Sequence, residues 1–278
     1  MNTLSAGSPI APIGNLQRLG LMAFMPHPAL TPWVQCYWVM RQQPPLQAGA
    51  AKILYPDGGS SLSFKIDPDG SIDTTFINLQ ARHSFHLTGQ QDVFSVRFYP
   101  GGAFGLLSHA ASQQTDGTFD ISDLGINTLQ DIQQQLSRSE HTLTRLSYIE
   151  RWLLRQLSRV NTTADLIQRS LTLMQQQALS VPALSAAVNL SRRQFERKFL
   201  LQTGLTPGQL KILLRVRQAR QLITQQPQHS LTSIALNCGF YDQAHFIHQF
   251  QRITGQTPGR YRRRKQNQLA MSQKYNPV

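Results

Sequence analysis

Phe195-Glu196-Arg197-Lys198-Phe199, followed by Gly204-Leu205-Thr206-Pro207-Gly208, returns 51 residues later as Phe246-Ile247-His248-Gln249-Phe250 and Gly255-Gln256-Thr257-Pro258-Gly259. Upstream of each Phe pair, Leu184-Ser185…Asn189-Leu190 answers to Ile234-Ala235…Gly239-Phe240. That second offset is 50, so the later copy has one extra residue in its turn. Each copy reads as helix, short turn, helix. Ser185 or Ala235 is small enough for two helices to approach closely. Asn189 or Gly239 can then take the left-handed backbone that closes the first helix and sends the chain off at a steep angle. Ser191 and Gln194 form a Ser-x-x-Gln capping box for the helix that follows, and Asp242 is the matching cap in the second copy. The second helices are expected to begin near Arg192 and Gln243.

Within those helices the two Phe residues stand four apart and share one face, which must turn inward. Arg193, Glu196 and Arg197 are left outside in the first copy, and Gln243, Ala244 and His248 in the second. A helix-turn-helix seats such a second helix in the major groove. There Arg can bond guanine O6 and N7, and Gln can bond adenine N6 and N7. These six positions are the base-reading candidates. Thr206-Pro207 is a cap followed by Pro in the first helical turn, and Leu210, Leu213, Leu214, Ala219, Leu222 and Ile223 form an apolar stripe that ends at Gln226-Pro227. One linker helix of about 25 Å therefore joins the units. Successive major grooves lie ~34 Å apart, so the two units can read both on one face of the duplex.

Charge points the same way. Residues 1–165 carry 11 Lys/Arg and 12 Asp/Glu, whereas residues 166–278 carry 16 Lys/Arg against Glu196 and Asp242 alone, out of a net +13 for the chain. A solvated face interleaves both signs, so the one-sided excess implies a polyanionic partner, double-stranded DNA before an anionic membrane. Arg192, Lys211, Arg217, Arg260, Arg262 and Arg263 are the candidates for phosphate contacts, with Arg215, Arg220, Arg264 and Lys265 beside them. Such contacts set register without selecting sequence. The apolar stretch Leu19–Met25 is short, lacks a basic leader and runs into Pro26, so it is expected to be neither a signal peptide nor a spanning helix, and a cytoplasmic location follows. Cys36 and Cys238 form no Cys-x-x-Cys pair, and both read as small buried apolar residues.

The first half alternates short β-type runs with turns. Val34–Met40, Lys52–Tyr55, Ser61–Ile66, Thr74–Leu79, Ser84–Leu87 and Val93–Phe98 are strand candidates, punctuated by Pro56-Asp57-Gly58-Gly59 and Pro100-Gly101-Gly102. Helical periods follow over Leu129–Leu136 and through Leu143, Leu146, Ile149, Leu153 and Leu157. That stripe either packs on its own domain, the favoured reading, or seams a homodimer. Val160-Asn161-Thr162-Thr163 reads as the linker. The expected architecture is therefore a β-rich α+β domain over residues 1–160, an all-α domain with two helix-turn-helix units over 166–265, and a polar tail over 266–278.

With these residues assembled, the C-terminal part closely resembles the DNA-binding domain of AraC/XylS-type transcription regulators. The resemblance rests on Leu190-Ser191-Arg192-Arg193-Gln194-Phe195-Glu196-Arg197-Lys198-Phe199 and Thr206-Pro207. It continues in Cys238-Gly239-Phe240-x-Asp242-Gln243-Ala244-His245-Phe246, Thr257-Pro258 and Tyr261-Arg262. It implies a bacterial regulator, often an activator that touches RNA polymerase, fused to a module that senses a small-molecule effector or dimerises. Ser185 stands where many members have Ala, and His248 where members often carry Arg or another polar residue. Cys36-Tyr37-Trp38, Leu54-Tyr55-Pro56-Asp57-Gly58 and Val96-Arg97-Phe98-Tyr99-Pro100-Gly101-Gly102 resemble the sensor module of one subset of the family.

Other chemistries find less in the sequence. His83 and His86 stand three apart on a strand and point to opposite faces, which does not suit a metal site. The Gly-rich turns lack the Lys-Ser/Thr of a phosphate loop. No nucleophile stands at a recognisable spacing from a base, and no cofactor is expected. The rivals are an architectural DNA-binding protein without ligand control and a DNA-repair or alkyl-transfer enzyme, for which only Cys36 is available and lies in an apolar run. Trp33, Tyr37 and Trp38 are offered either to an effector site or, preferably, to the core.

Overall fold

Alternating small polar and large apolar residues make Ser60–Ile66 (β4) the centre of a sheet covered on both sides. A computed structural model describes residues 21–41, 52–78, 83–85, 91–107, 117–120, 129–160, 162–176 and 179–274. The other strands of the sheet are β1 (Leu21–Phe24), β2 (Val34–Met40), β5 (Ile72–Asn78), β7 (Asp92–Phe98) and β8 (Gly117–Asp120). All neighbours pair antiparallel in the order β1-β2-β7-β4-β5-β8. β3 (Lys52–Leu54) and β6 (His83–Phe85) form a separate two-stranded ribbon.

Register explains what is buried. Leu62 pairs with Val96 and Phe76, and Phe64 with Phe94, all essentially without exposure. By the two-residue period of a strand, these share a face with Tyr37 and Val39 of β2. Leu129, Ile132 and Leu136 of α2 (Leu129–Ser137) join that core, as do Leu146, Ile149 and Leu153 of α3 (Thr142–Gln156). The middle of the apolar stripe thus packs on its own domain, while Leu143 stays exposed. The opposite face carries Ser61, Ser63, Thr75 and Ser95, also buried, with the Ser63 and Ser95 hydroxyls 2.9 Å apart. Tyr37 is a core residue whose hydroxyl donates to Glu150 at 3.4 Å, and Trp33 packs against the same core.

Several elements depart from the sequence reading. Leu21–Phe24 is an edge strand, and Gly117–Asp120 adds a strand that its short run did not announce. After Pro100-Gly101 the chain forms a short helix, α1 (Gly102–Leu107), rather than only a turn. A Cβ on Gly102 would lie 2.2 Å from the Trp33 carbonyl oxygen, so the close approach of the residue before β2 requires glycine there. The helix α4 (Thr162–Gln176) starts inside the expected linker. The fifth strand candidate is placed at His83–Phe85; Leu79, His86 and Leu87 lie outside the described residues.

The remaining chain is helical: α5 (Val181–Ala187), α6 (Arg192–Thr203), α7 (Pro207–Gln225), α8 (Leu231–Asn237), α9 (Gln243–Thr254) and α10 (Pro258–Lys274). Its own core is built on Phe195, Phe199, Phe246 and Phe250, with Ile167 and Leu171 of α4 included. Residues 266–274 of the expected polar tail continue α10, and 275–278 lie outside the described residues. An N-terminal antiparallel sheet region is followed by an all-helical region.

Candidate nucleic-acid interface

The two turns close with the same bonds. The Leu190 and Phe240 N–H groups each donate at 3.0 Å, to Ser185 and Ala235 carbonyls respectively, and both of these small residues are buried. Asn189 (φ 56°) and Gly239 (φ 75°) take the left-handed backbone that this closure needs. The residue that lengthens the second turn is Tyr241, 90% exposed beside the cap of α9. The one-residue mismatch in the repeat was its only trace in the sequence.

Caps then fix the start of each second helix. Ser191 accepts from the Gln194 N–H at 3.3 Å while the Gln194 side chain accepts from the Ser191 N–H at 3.2 Å, a complete capping box. Asp242 accepts from the His245 N–H at 2.7 Å. Each cap is worth about 1 kcal/mol of helix stability. Gln243 also meets the Thr232 hydroxyl of α8 at 3.2 Å, tying the two helices of the second unit together.

Phe195 and Phe199, ring centroids 5.5 Å apart, are fully buried, and so are Phe246 and Phe250 at the same separation. With the aromatic faces inward, Arg192, Arg193 and Arg197 of α6 and Gln243, Ala244 and His248 of α9 are exposed. Glu196 is half-buried and accepts from Arg192 Nε at 2.9 Å across one helical turn. α7 joins the units without a break, capped by Thr206 in a box with Gln209 and carrying Pro207 in its first turn. Its 19 residues span about 28 Å.

The cations reserved for phosphate contact fall into two groups. Arg192, Arg260 and Arg263 are exposed. Lys211 donates to the Leu179 carbonyl, and burial, with Arg215 nearby, holds its pKa below the ordinary lysine value. Arg262 donates to the His229 carbonyl at 2.6 Å. Arg217 lines a cleft with Asp57 of the β-domain. Arg220 and Arg264 are engaged by Tyr55, a residue quoted in the sequence motif without a role.

Residues 184–264 match a family described as a helix-turn-helix domain, and residues 22–120 match a domain of unknown function, DUF6597. The chain is 38% identical over 86 residues to the probable transcriptional regulator LumQ of Photobacterium leiognathi, covering 31% of this chain and 34% of that protein. It is 31% identical over 103 residues to the HTH-type transcriptional regulator ArgR of Pseudomonas aeruginosa, covering 37% and 31%. The chain thus spans about a third of the length of the curated relatives it matches. A solved transcriptional regulator from Chromobacterium violaceum, described as containing an AraC-type DNA-binding domain, is 32% identical. The match covers 36% of this chain and 92% of that one, with a TM-score of 0.34.

Proposed function

Residues 184–264 form a helix-turn-helix domain of the AraC type, and from that premise we propose that the protein is a transcription regulator that reads two successive major grooves of double-stranded DNA. The observation that carries the reading is the pairing of two capped second helices, each with its aromatic face inward and its polar face exposed, on one continuous helix. Arg193 and Arg197 are the base readers of the first half-site, with Glu196 shaping their approach through Arg192. Gln243, Ala244 and His248 read the second, with Tyr241 beside them. Arg192, Arg260 and Arg263 hold phosphates. Lys211, Arg217 and Arg262 join them on release from their present internal partners.

The β-rich domain, residues 1–160, controls the DNA-binding domain, residues 166–265, in response to a small-molecule effector. The regulator works in the cytoplasm and contacts RNA polymerase, as a homodimer where its sites are paired. No helix among the described residues is long and apolar enough to cross a membrane. The alkyl-transfer alternative gains nothing from Cys36: burial pushes its thiol pKa up against the pull of Arg97, away from the reactive thiolate.

Selection from a random duplex library at fixed salt tests the reading. A motif of two half-sites about one helical turn apart is expected, relaxed in one half-site by Arg193→Ala or Arg197→Ala. Uniform binding across sequences, weakened alike by every basic substitution, would favour the architectural alternative.

A further inference from the structure

The turn between β3 and β4, Tyr55-Pro56-Asp57-Gly58, leaves its own sheet and enters the helical domain. The Tyr55 ring packs against the helical core. The Arg220 guanidinium of α7 lies over it, 3.8 Å from the ring centroid, and Tyr261 of α10 meets it edge-on at 6.3 Å. Arg264 of α10 donates to the Tyr55 hydroxyl at 2.8 Å. Three residues on, Gly58 takes a φ of 77°, and a Cβ there would lie 2.7 Å from Leu210 and 3.1 Å from Leu205. Asp57, between them, is paired with Arg97 and faces Arg217 across the cleft.

We propose that this turn is a latch: Tyr55 clamps α7 to α10 and withholds Arg220 and Arg264 from DNA phosphates until the β-domain lets go. The inference rests on the reading of the helical domain as a DNA binder. Its position suits the task, since α7 bridges the two units and α10 closes the second, with the Tyr261 ring 5.5 Å from that of Phe250. A single side chain therefore reaches both the helix that bridges the two units and the helix that closes the second.

The chemistry suits release. Tyr55 engages its cations through a ring face and a hydroxyl oxygen, and Arg220 Nε also donates to the Tyr261 hydroxyl at 3.4 Å, so no carboxylate in these contacts cancels their charge. Lys265, half-buried with Arg264 and Arg220 near it, has its pKa held below the ordinary lysine value by burial first and then by Arg264, against the opposing pull of Tyr55, with Arg220 adding least. The carboxylate in the turn, Asp57, is committed to Arg97. The Arg264 Nε is buried without a hydrogen-bond partner. A phosphate backbone offers these cations the counter-charge and acceptors that the latched state lacks.

The test compares the full-length wild-type chain with Tyr55→Ala and Tyr55→Phe, using a duplex of mixed sequence across a salt series. It adds amide hydrogen exchange of the free proteins over α7 and α10. Tyr55→Ala is expected to bind DNA more tightly at low salt, with log K against log salt steeper by roughly 1.8, or about 0.9 for each freed cation. Exchange in the Arg220 turn and in α10 should also be faster. Tyr55→Phe keeps the ring and loses only the bond to Arg264, so a slope change of about half that size is expected, and it carries the test if the alanine variant misfolds. An unchanged or shallower slope with DNA binding intact overturns the latch and leaves the DNA reading standing. Absence of DNA binding by the wild-type chain overturns that reading and the release step together.

Discussion

In the first helix-turn-helix unit a Ser191–Gln194 box starts the second helix and Arg193 and Arg197 face outward; in the second, Asp242 caps alone and the outward residues are Gln243, Ala244 and His248. Inward, the two are nearly superposable in chemistry, with the same Phe pair, the same turn bonds and a left-handed glycine, Gly204 or Gly255, closing each second helix. Their attachments also differ. The first unit abuts the β-domain near Thr203, 3.5 Å from where a Cβ on Gly101 would stand. The second is reached through α10 and Tyr55. Packing geometry dictates the shared residues, and the divergent ones are those that packing leaves free. The two units are therefore expected to have equal structural weight and unequal grip on DNA.

The largest effects should fall where the units agree. Phe195→Ala and Phe246→Ala each remove a fully buried ring and should cost about 3–5 kcal/mol in denaturant unfolding. Costs that differ by more than about 2 kcal/mol, the scatter such sites show, would break the structural equivalence. The next largest should show the asymmetry. Arg197→Ala is expected to lose roughly 1–3 kcal/mol at the base it reads, in competition binding against single-base variants of the site. His248→Ala should lose less, and the reverse order would make the second unit the main reader.

Caps come next. Ser191→Ala and Asp242→Ala should each cost about 1 kcal/mol by thermal unfolding. Each leaves one backbone N–H, of Gln194 or His245, without its acceptor, and Ser191→Ala should be the costlier because it also removes the hydroxyl that donates to the Gln194 side chain. Acid should discriminate the attachments. Burial opposes charge on Asp57, yet Arg97 beside it, the Gly59 N–H and Arg217 hold its carboxyl below the usual range. A depressed folded pKa contributes stability that is present above the unfolded value of ~3.9 and is lost as pH falls through the folded one. Asp57→Asn should therefore flatten that acid limb in a pH series of melting curves, and an unchanged limb would discount the Asp57 pairing. The smallest effect belongs to Glu196→Gln, which breaks a partly exposed pair one turn apart with Arg192 and should change stability by about 0.5 kcal/mol or less.

Much of this was legible in the sequence because the repeat samples the same geometry twice. Asn189 and Gly239 marked the turns, Ser191 and Asp242 the caps, and the spacing of the Phe pairs the inward faces. What remained hidden depends on contacts between residues far apart in the chain. Tyr55 is an unremarkable strand-end aromatic until Arg220 and Arg264 are placed around it. The helix at Gly102–Leu107 starts at a close approach to Trp33 that no local pattern encodes. Lys211 and Arg262 counted as surface charge by composition, whereas their ammonium and guanidinium groups reach backbone carbonyls of Leu179 and His229.

The central claim, two recognition helices held at a fixed spacing by one continuous α7, is tested most directly by moving the half-sites apart. Once a selected duplex is in hand, about half a helical turn, ~5 base pairs, is inserted between its halves, and binding is measured at the same salt. Because the insertion rotates one half-site to the opposite face of the duplex, affinity is predicted to fall to the level of a single half-site. Undiminished affinity would mean that the two units do not read the DNA as one rigid pair.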